Sequence, residues 1–184
     1  MIKNPIPNDE WEYIDPLGDT KSMLELGNKK NANGIYKHYF ESIGIQHTSV
    51  DWNGEDGALK LDLREPQYQR LGQFDMITNI GTTEHVSYQQ GVWENIHNCC
   101  KVGGVIVSIT PYHDGRSWWW HGDWYPTEMF FERFAELNGY DIEKMGIGRE
   151  IPNQNLCVRL QKNRSARFKM PEPETIVKNV IRPR

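Results

Sequence analysis

The stretch that most constrains the fold is SMLELGNKKNANG, which begins at Ser22. A short apolar run of Met23, Leu24 and Leu26 predicts a buried strand. The run carries the acidic residue Glu25, followed by one spacer and Gly27, which lets the backbone turn sharply and approach a ligand. Turn-forming residues then precede a helical pattern over residues 35–43. Strand, glycine turn and helix form the opening unit of a nucleotide-binding sheet.

A second signal comes from the next acidic residue at the end of a strand. Residues 47–50 predict a short strand, and Asp51 stands at its end. This is about the spacing, ~20 residues or more after the glycine turn, at which a carboxylate holds a ribose. The alternative is that Asp51 is only a turn former. The three-glycine turn of nicotinamide-dependent oxidoreductases is missing, which argues against that class.

Strands and helices alternate along the body of the chain. The hydrophobic patterns predict strands at 23–26, 47–51, 58–61, 74–79, 105–109, 140–145 and 156–160, and helices at 9–14, 35–43, 88–100 and 127–138. This order predicts an α/β, doubly wound sheet. We expect an N-terminal arm at 1–21, one domain at 22–162 and a basic tail at 163–184.

Composition agrees with a single domain and limits the class of partner. The 184 residues are 38% hydrophobic, which suits one domain with a proper core. From Lys162 onward the chain carries +5 and the preceding part −9, which together give the formal net charge of −4. The acidic body makes nucleic acid an improbable partner. We expect the tail to be solvated and partly flexible, the alternative being contact with phosphate or an acidic partner.

The cysteines and the apolar runs indicate a cytoplasmic protein. Cys99, Cys100 and Cys157 form neither a disulfide framework nor a C-x-x-C metal pair. No apolar run reaches the ~18 residues of a membrane span. The first twenty residues lack the basic and apolar regions of a secretion signal.

The order of these signals resembles a known family, the class I S-adenosylmethionine-dependent methyltransferases of the small, single-domain kind. Their successive motifs resemble LELGN, SVDWNG, LKLDLREP, FDMITNIGTTEHV and KVGGVIVSITP, and their final helix and strand resemble YPTEMFFERFAELNGYDIEKM. The resemblance implies a Rossmann-like, mostly parallel seven-stranded sheet with an antiparallel last strand at 156–160. It also implies S-adenosylmethionine as cofactor and S-adenosylhomocysteine as product. The first motif departs from the family, because only Gly27 remains of the usual glycines.

The resemblance also implies the cofactor-binding residues. These are Glu25, Gly27, Asn28, Asp51, Trp52, Asn53, Asp62, Leu63, Asn79, Ile80 and Gly81. Glu25 would accept a hydrogen bond from the methionine ammonium, directly or through water, and Asp51 would bind both ribose hydroxyls. Trp52 would cover the adenine, whose edge Asp62 and the Leu63 backbone N–H would contact. The alternative role for Asp62 is to cap a loop.

The acceptor side is predicted from the segment that follows the fifth strand. Residues 111–124 contain four tryptophans together with His113, Asp114, His121 and Asp123. Consecutive tryptophans cannot all face one core, which favours a lid, a stacking surface or an interface with a second copy of the chain. The alternative is that they cover the sheet edge. The predicted substrate-binding residues are Trp118, Trp120, Asp123 and Trp124.

His85, His113 and His121 are the candidates for a general base. Glu84 and His85 have a second interpretation, as the polar start of the helix at 88–100. No metal site is predicted, because no pair of histidines has the spacing of ligands on one regular helix.

These observations predict a methyltransferase that acts on oxygen in a small molecule or a glycan. The expectation of a glycan acceptor rests on the aromatic segment and on a loose resemblance to methyltransferases of surface polysaccharide pathways. Asn79-Ile80-Gly81 stands where enzymes that methylate DNA base amino groups carry an N-P-P-Y motif. Two alternatives stay open: a cofactor-fold binding protein without turnover, and a nucleic-acid methyltransferase that uses the basic tail.

Overall fold

The structure, a computed structural model, describes residues 4–15, 17–31, 34–112, 121–148 and 154–179. Its helices are α1 (Asn8–Ile14), α2 (Tyr36–Ser42), α3 (Tyr68–Leu71), α4 (Gln89–Cys99) and α5 (Glu128–Asn138). Its strands are β1 (Ser22–Leu26), β2 (Lys30–Asn31), β3 (Gly34–Ile35), β4 (Gln46–Asp51), β5 (Leu59–Lys60), β6 (Phe74–Ile80), β7 (Cys100–Pro111), β8 (Trp124–Pro126), β9 (Tyr140–Gly148), β10 (Asn155–Lys162) and β11 (Ile176–Lys178). Short 3-10 helices lie at Glu55–Gly57, Thr83–His85 and Pro173–Thr175.

Seven strands form one twisted sheet in the order β5-β4-β1-β6-β7-β10-β9. Six of them run in the same direction, and β10 is antiparallel to both of its neighbours. The predicted doubly wound, mostly parallel seven-stranded sheet with an antiparallel last strand is therefore confirmed. None of the described helices is long and apolar enough to cross a membrane.

Both faces of the sheet are covered, which explains the nearly continuous apolar runs of its strands. Leu24 and Leu26 of β1 belong to one core cluster, with α4 and α5, while Met23 belongs to a second cluster, with α1 and α2. Thr127 caps α5 by accepting a hydrogen bond from the Phe130 N–H, and Gly139 ends it with a φ of 75°. Both ends were predicted from the sequence.

The direction of chain travel reverses beside β1. From β1 the chain moves outward to β4 and β5, and then crosses to β6 on the other side of β1. The connections that leave the carboxyl ends of β1 and β6 therefore run in opposite directions along the sheet. This is a topological switch point, where doubly wound sheets bind their ligands.

The basic segment after the sheet is packed, which corrects the prediction of a solvated tail for residues 163–179. Phe168, Met170 and Ile176 lie against the main core cluster. The Asn138 carboxamide bonds both the N–H and the C=O of Lys169, at 2.7 and 2.9 Å. β11 pairs with β8 in a small second sheet that the sequence did not predict. Three apolar side chains thus hold this segment against the core, although its basic composition predicted exposure to solvent.

Candidate functional site

A cavity of about 600 Å³ opens at the carboxyl ends of β1, β4 and β6. The structure brings most of the predicted cofactor-binding residues to its wall, namely Gly27, Asn28, Asp51, Trp52, Asp62, Leu63, Ile80 and Gly81. His85, one of the three predicted general-base candidates, also lines it. The cavity lies at the switch point of the sheet, where residues from separate strand ends meet.

Two glycine turns approach each other closely at the floor of the cavity. Gly27 has a φ of 75°, and a Cβ added to it would lie 2.5 Å from Thr82 Oγ1. That hydroxyl donates a hydrogen bond to the Leu26 C=O at 2.7 Å. Gly81, at the end of β6, has a φ of 69°. The end of β1 and the end of β6 are therefore joined, and a side chain at Gly27 would separate them.

The Asp51 carboxylate lies at the end of β4 with each oxygen engaged by one backbone N–H. Asn28 N donates to Oδ2 at 3.1 Å, and Asn53 N donates to Oδ1 at 2.9 Å. A carboxylate offers about four acceptor positions, so each oxygen retains capacity for a further donor. These two bonds fix the orientation of the carboxylate toward the cavity that Asp51 lines.

Glu25, predicted to accept a hydrogen bond from the methionine ammonium directly or through water, is not among the residues that line the cavity. Its side chain is on the Met23 face of β1, because alternate residues of a strand point to opposite faces. Glu25 Oε2 lies 2.9 Å from His47 Nε2, and Oε1 accepts the Lys29 N–H at 3.1 Å. Burial raises the pKa of the Glu25 carboxyl, and the hydrogen bond from His47 opposes that rise. Glu25 thus holds the loop after Gly27 from beneath.

Asn79 and Asn53, also predicted to bind the cofactor, are not among the residues that line the cavity. Asn79 is fully buried, donates to Thr83 Oγ1 and Ser108 Oγ at 2.9 Å each, and accepts the Thr83 N–H at 3.1 Å. It therefore fixes the turn that follows β6. Asn53 accepts the Glu55 N–H at 2.8 Å and shapes the loop beside Asp51.

The outer wall of the cavity combines an exposed ring with an ion pair. Trp52 is 67% exposed, and the Arg64 guanidinium carbon lies 5.8 Å from its ring centroid. Arg64 Nη2 also donates to Asp62 Oδ2 at 2.6 Å. Hydrogen bonds from Arg64 hold the pKa of the Asp62 carboxyl below its usual value. Within the described residues the Leu63 N–H donates no hydrogen bond.

A group of three titratable side chains lies beside the cavity wall that Gly81 and His85 form. Glu84 is fully buried in the 3-10 helix after β6, and its Oε1 lies 3.8 Å from His85 Nε2 and 3.7 Å from His121 Nε2. The Asp123 N–H donates to the Glu84 C=O at 2.8 Å, which brings the predicted acceptor segment to the cavity. His113, Trp118 and Trp120 lie outside the described residues.

Trp124, a predicted substrate-binding residue, is in β8 beside the cavity rather than on its wall. It pairs with Lys178 of β11, whose Nζ lies 5.3 Å from the indole centroid. Its ring is partly buried against the main core cluster. This position fits the alternative interpretation, in which part of the aromatic segment covers the sheet edge.

No protein-family model matches the sequence, and no curated protein matches it. Several solved structures share its fold. The N-methyltransferase NodS from Bradyrhizobium japonicum has a TM-score of 0.61 at 14% identity, over 84% of this chain and 93% of that one. The 1,6-didemethyltoxoflavin-N1-methyltransferase of Burkholderia thailandensis, solved with S-adenosylhomocysteine, has a TM-score of 0.58 at 16% identity, over 85% and 77%.

An O-methyltransferase from a multienzyme of Brevibacillus brevis, also in complex with S-adenosylhomocysteine, has a TM-score of 0.53 at 11% identity, over 84% and 70%. The chain has the class I S-adenosylmethionine-dependent methyltransferase fold. In this methyltransferase fold, most of the residues that the sequence motifs indicated line the cavity at the switch point.

Several residues of the methyltransferase-fold cavity were missed by the sequence analysis, among them Lys29, Arg64 and Thr82. Lys29 follows the glycine turn, and the departure of this turn from the usual glycine pattern was the available signal. Thr82 acts through a tertiary contact with the Leu26 C=O, which no local pattern reveals. Arg64 bonds Asp62 two residues before it, and the sequence analysis did not use this local pair.

Proposed function

We propose that the protein is an S-adenosylmethionine-dependent methyltransferase. The observation that carries the proposal is the Asp51 carboxylate, oriented at the end of β4 beside two glycine turns that line one cavity at the switch point. Fold neighbours solved with S-adenosylhomocysteine support it.

The described residues fit the parts of this cofactor. The free acceptor positions of Asp51 suit the two ribose hydroxyls, and Trp52 and the Leu63 N–H suit the face and the edge of adenine. Gly27 allows the methionine part to approach the backbone closely. The Lys29 ammonium, on the same wall, suits the methionine carboxylate. Glu25 positions this loop through its bond to the Lys29 N–H.

We propose a hydroxyl as the acceptor, in a small molecule or a glycan. Bound S-adenosylmethionine supplies an electrophilic methyl group on a sulfonium. As the acceptor oxygen bonds to the methyl carbon, the carbon–sulfur bond breaks and its electron pair stays on sulfur. The hydroxyl proton must then go to a base, for which His85 and His121 at the cavity end are suited. The chain otherwise aligns the two reactants and excludes water.

Calorimetric titration with S-adenosylmethionine and S-adenosylhomocysteine tests the proposal. We expect micromolar binding that weakens at least tenfold in Asp51→Ala. Asp141→Ala is the matched control, because Asp141 is an exposed carboxylate on β9 at the opposite edge of the sheet. Absence of binding in the wild-type protein would overturn the proposal. Binding without turnover on any hydroxylated acceptor would favour a cofactor-fold binding protein.

A further inference from the structure

Glu84 is a buried carboxylate that has no hydrogen-bond partner in the part of the chain that the structure describes. Its relative exposure is 0%, and among the described residues neither Oε1 nor Oε2 accepts a hydrogen bond. No lysine or arginine of the described residues forms an ion pair with it. Burying an ionised carboxylate in this way is highly unfavourable unless a cation compensates the charge. The environment of Glu84 therefore indicates a positively charged partner.

Two imidazoles face this carboxylate. His121 Nε2 and His85 Nε2 lie 3.7 and 3.8 Å from Glu84 Oε1, and the three donor atoms are all within 4.8 Å of one another. The imidazole rings meet edge to face, with centroids 4.9 Å apart. These separations exceed hydrogen-bond length but leave space between the three groups for a bound ion.

The segment that supplies His121 is held against Glu84 by the backbone. Gly122 has a φ of 77°, and a Cβ added to it would lie 2.7 Å from Glu84 Cγ, so a side chain here would push the segment away. The Asp123 N–H donates to the Glu84 C=O at 2.8 Å, and Asn179 N donates to the Asp123 C=O at 2.8 Å. The approach of His121 to Glu84 is thus built into the fold.

We propose that Glu84, His85 and His121 bind a divalent first-row transition-metal ion, such as Zn²⁺ or Mn²⁺, at the acceptor end of the cavity. Two imidazole nitrogens and one carboxylate oxygen are a common donor set for such ions. Two ligands at ~2.1 Å from one ion are at most ~4.2 Å apart, so binding requires movements below ~1 Å. The His85 and His121 side chains are 44% and 36% exposed, which leaves their rings room to rotate.

The site has a chemical use beside the cavity. Three protein ligands leave coordination positions open, as in catalytic metal sites. Because His85 lines the cavity, these positions are within reach of a substrate oxygen, whose hydroxyl pKa the ion would lower. In the metal-bound state this effect of the ion would replace the role of His85 and His121 as bases. The role of the ion at the acceptor rests on the proposed methyltransferase function, whereas binding of the ion does not. No metal site was predicted from the sequence, because the histidines lack the spacing of ligands on one helix and the three ligands come from two separate segments.

The test is a titration of the full chain with Zn²⁺ and with Mn²⁺ alone, without cofactor. We expect one ion per chain in the wild-type protein, and an affinity at least ~10-fold lower in Glu84→Gln and in His121→Ala. His38→Ala is the matched control, since His38 is an exposed histidine on α2, and it should bind as the wild-type protein does. Circular dichroism melts establish that each variant is folded.

Absence of a one-to-one complex in the wild-type protein, or equal affinity in His121→Ala, would overturn the proposal. His121→Ala decides the matter if Glu84→Gln does not fold, because the His121 side chain is partly exposed. A parallel titration with S-adenosylhomocysteine in excess chelator separates this proposal from the previous one. If the cofactor binds in the presence of chelator but Zn²⁺ and Mn²⁺ do not bind, only the proposed metal site is refuted.

Discussion

The two ends of the cavity are built in different ways. The donor end is formed by Gly27 and Gly81, which directly follow β1 and β6, and by Asp51, the last residue of β4, and the sheet topology brings these three together. At the acceptor end, the Thr83–His85 helix meets residues 121–123 through tertiary contacts, since no strand pairing joins them. The first end is a property of the fold, and the second is a property of this chain.

The ends also differ in how their carboxylates are satisfied. At the donor end, the Glu25 and Asp51 carboxylates have hydrogen-bond partners within the protein, although Asn28 Oδ1 and His47 Nδ1 have none among the described residues. At the acceptor end, both oxygens of buried Glu84 have none among the described residues. A site whose polar groups are satisfied is already organised for its ligand, whereas an unsatisfied group indicates that a ligand completes it. The comparison therefore predicts a rigid donor end and a ligand-dependent acceptor end.

The largest expected effect is at the donor end, in Gly27→Ala. The new Cβ would be strained at a φ of 75° and would meet Thr82 Oγ1 at 2.5 Å. Left-handed strain and overpacking together cost about 3–4 kcal/mol, which is on the order of a 100- to 1000-fold loss of S-adenosylhomocysteine affinity. Calorimetry measures this loss of affinity. Gly44→Ala is the control, because Gly44 has a φ of 88° but open space around it. Unchanged affinity in Gly27→Ala would show that the close approach at Gly27 does not contribute to cofactor binding.

Both ends rest on one core, and its stability should depend on pH through His97. Its Nε2–H donates to the Ala166 C=O at 2.8 Å, and its Nδ1 accepts from the Tyr140 hydroxyl, 3.1 Å away. Burial lowers the pKa of His97 to about 4, so the unfolded chain takes up a proton below pH ~6.5 while the folded chain does not. This contribution is complete above pH ~6.5 and decreases as the pH falls toward about 4.

From pH 7.5 to pH 5, the free energy of unfolding should fall by about 2 kcal/mol through His97. Urea unfolding at the two pH values measures the change, and a His97→Asn variant should lose this part of it. Equal pH dependence in the variant would show that His97 is not the group responsible. The result defines the pH range in which binding at the two ends can be compared without a contribution from unfolding.

A smaller effect is expected from Asp51→Asn. The amide retains one acceptor oxygen but loses the charge and the second oxygen that the ribose hydroxyls require. S-adenosylhomocysteine should bind about tenfold more weakly, a loss of about 1.4 kcal/mol. Metal binding at the acceptor end should not change in this variant, because Asp51 belongs to the other end. A joint loss of both affinities would contradict the independence of the two ends.

The smallest effect is expected from Thr82→Val, which removes the bond from Oγ1 to the Leu26 C=O at nearly constant volume. Loss of one hydrogen bond of this kind is worth about 1 kcal/mol, or about fivefold in cofactor affinity. Thr48→Val on β4 is the control, since the Thr48 hydroxyl joins no two strand ends. If Thr82→Val and Thr48→Val bind S-adenosylhomocysteine with equal affinity, the junction between Gly27 and Thr82 contributes nothing to cofactor binding.

Much of the donor end could be predicted, because its residues follow periodic strands at fixed positions. The position of Asp51 on the cavity was predicted because it stands at the end of a predicted strand, and the fold was predicted from the alternation of strands and helices. Glu25 was predicted as a cofactor contact from its polarity and its motif, whereas strand alternation places its side chain on the Met23 face of β1. The packing of Phe168 and Met170 was also missed, since charge dominates the composition of that segment.

The acceptor end could not be predicted in the same way. Glu84 and His121 are far apart in sequence, and their meeting depends on Gly122 and on the bond between Asp123 and Glu84. His85 was singled out as a base from its residue type, but its neighbour Glu84 was interpreted as the start of a helix. Tertiary contacts of this kind have no periodic signature.

A crystal structure of the protein with S-adenosylhomocysteine would show directly which end of the cavity holds the cofactor. We expect the ribose hydroxyls on Asp51, adenine beside Trp52 and Leu63, and the sulfur beside Gly81, facing the Glu84–His85 end of the cavity. The ligand in the opposite orientation, or in another part of the molecule, would contradict the assignment of donor and acceptor ends.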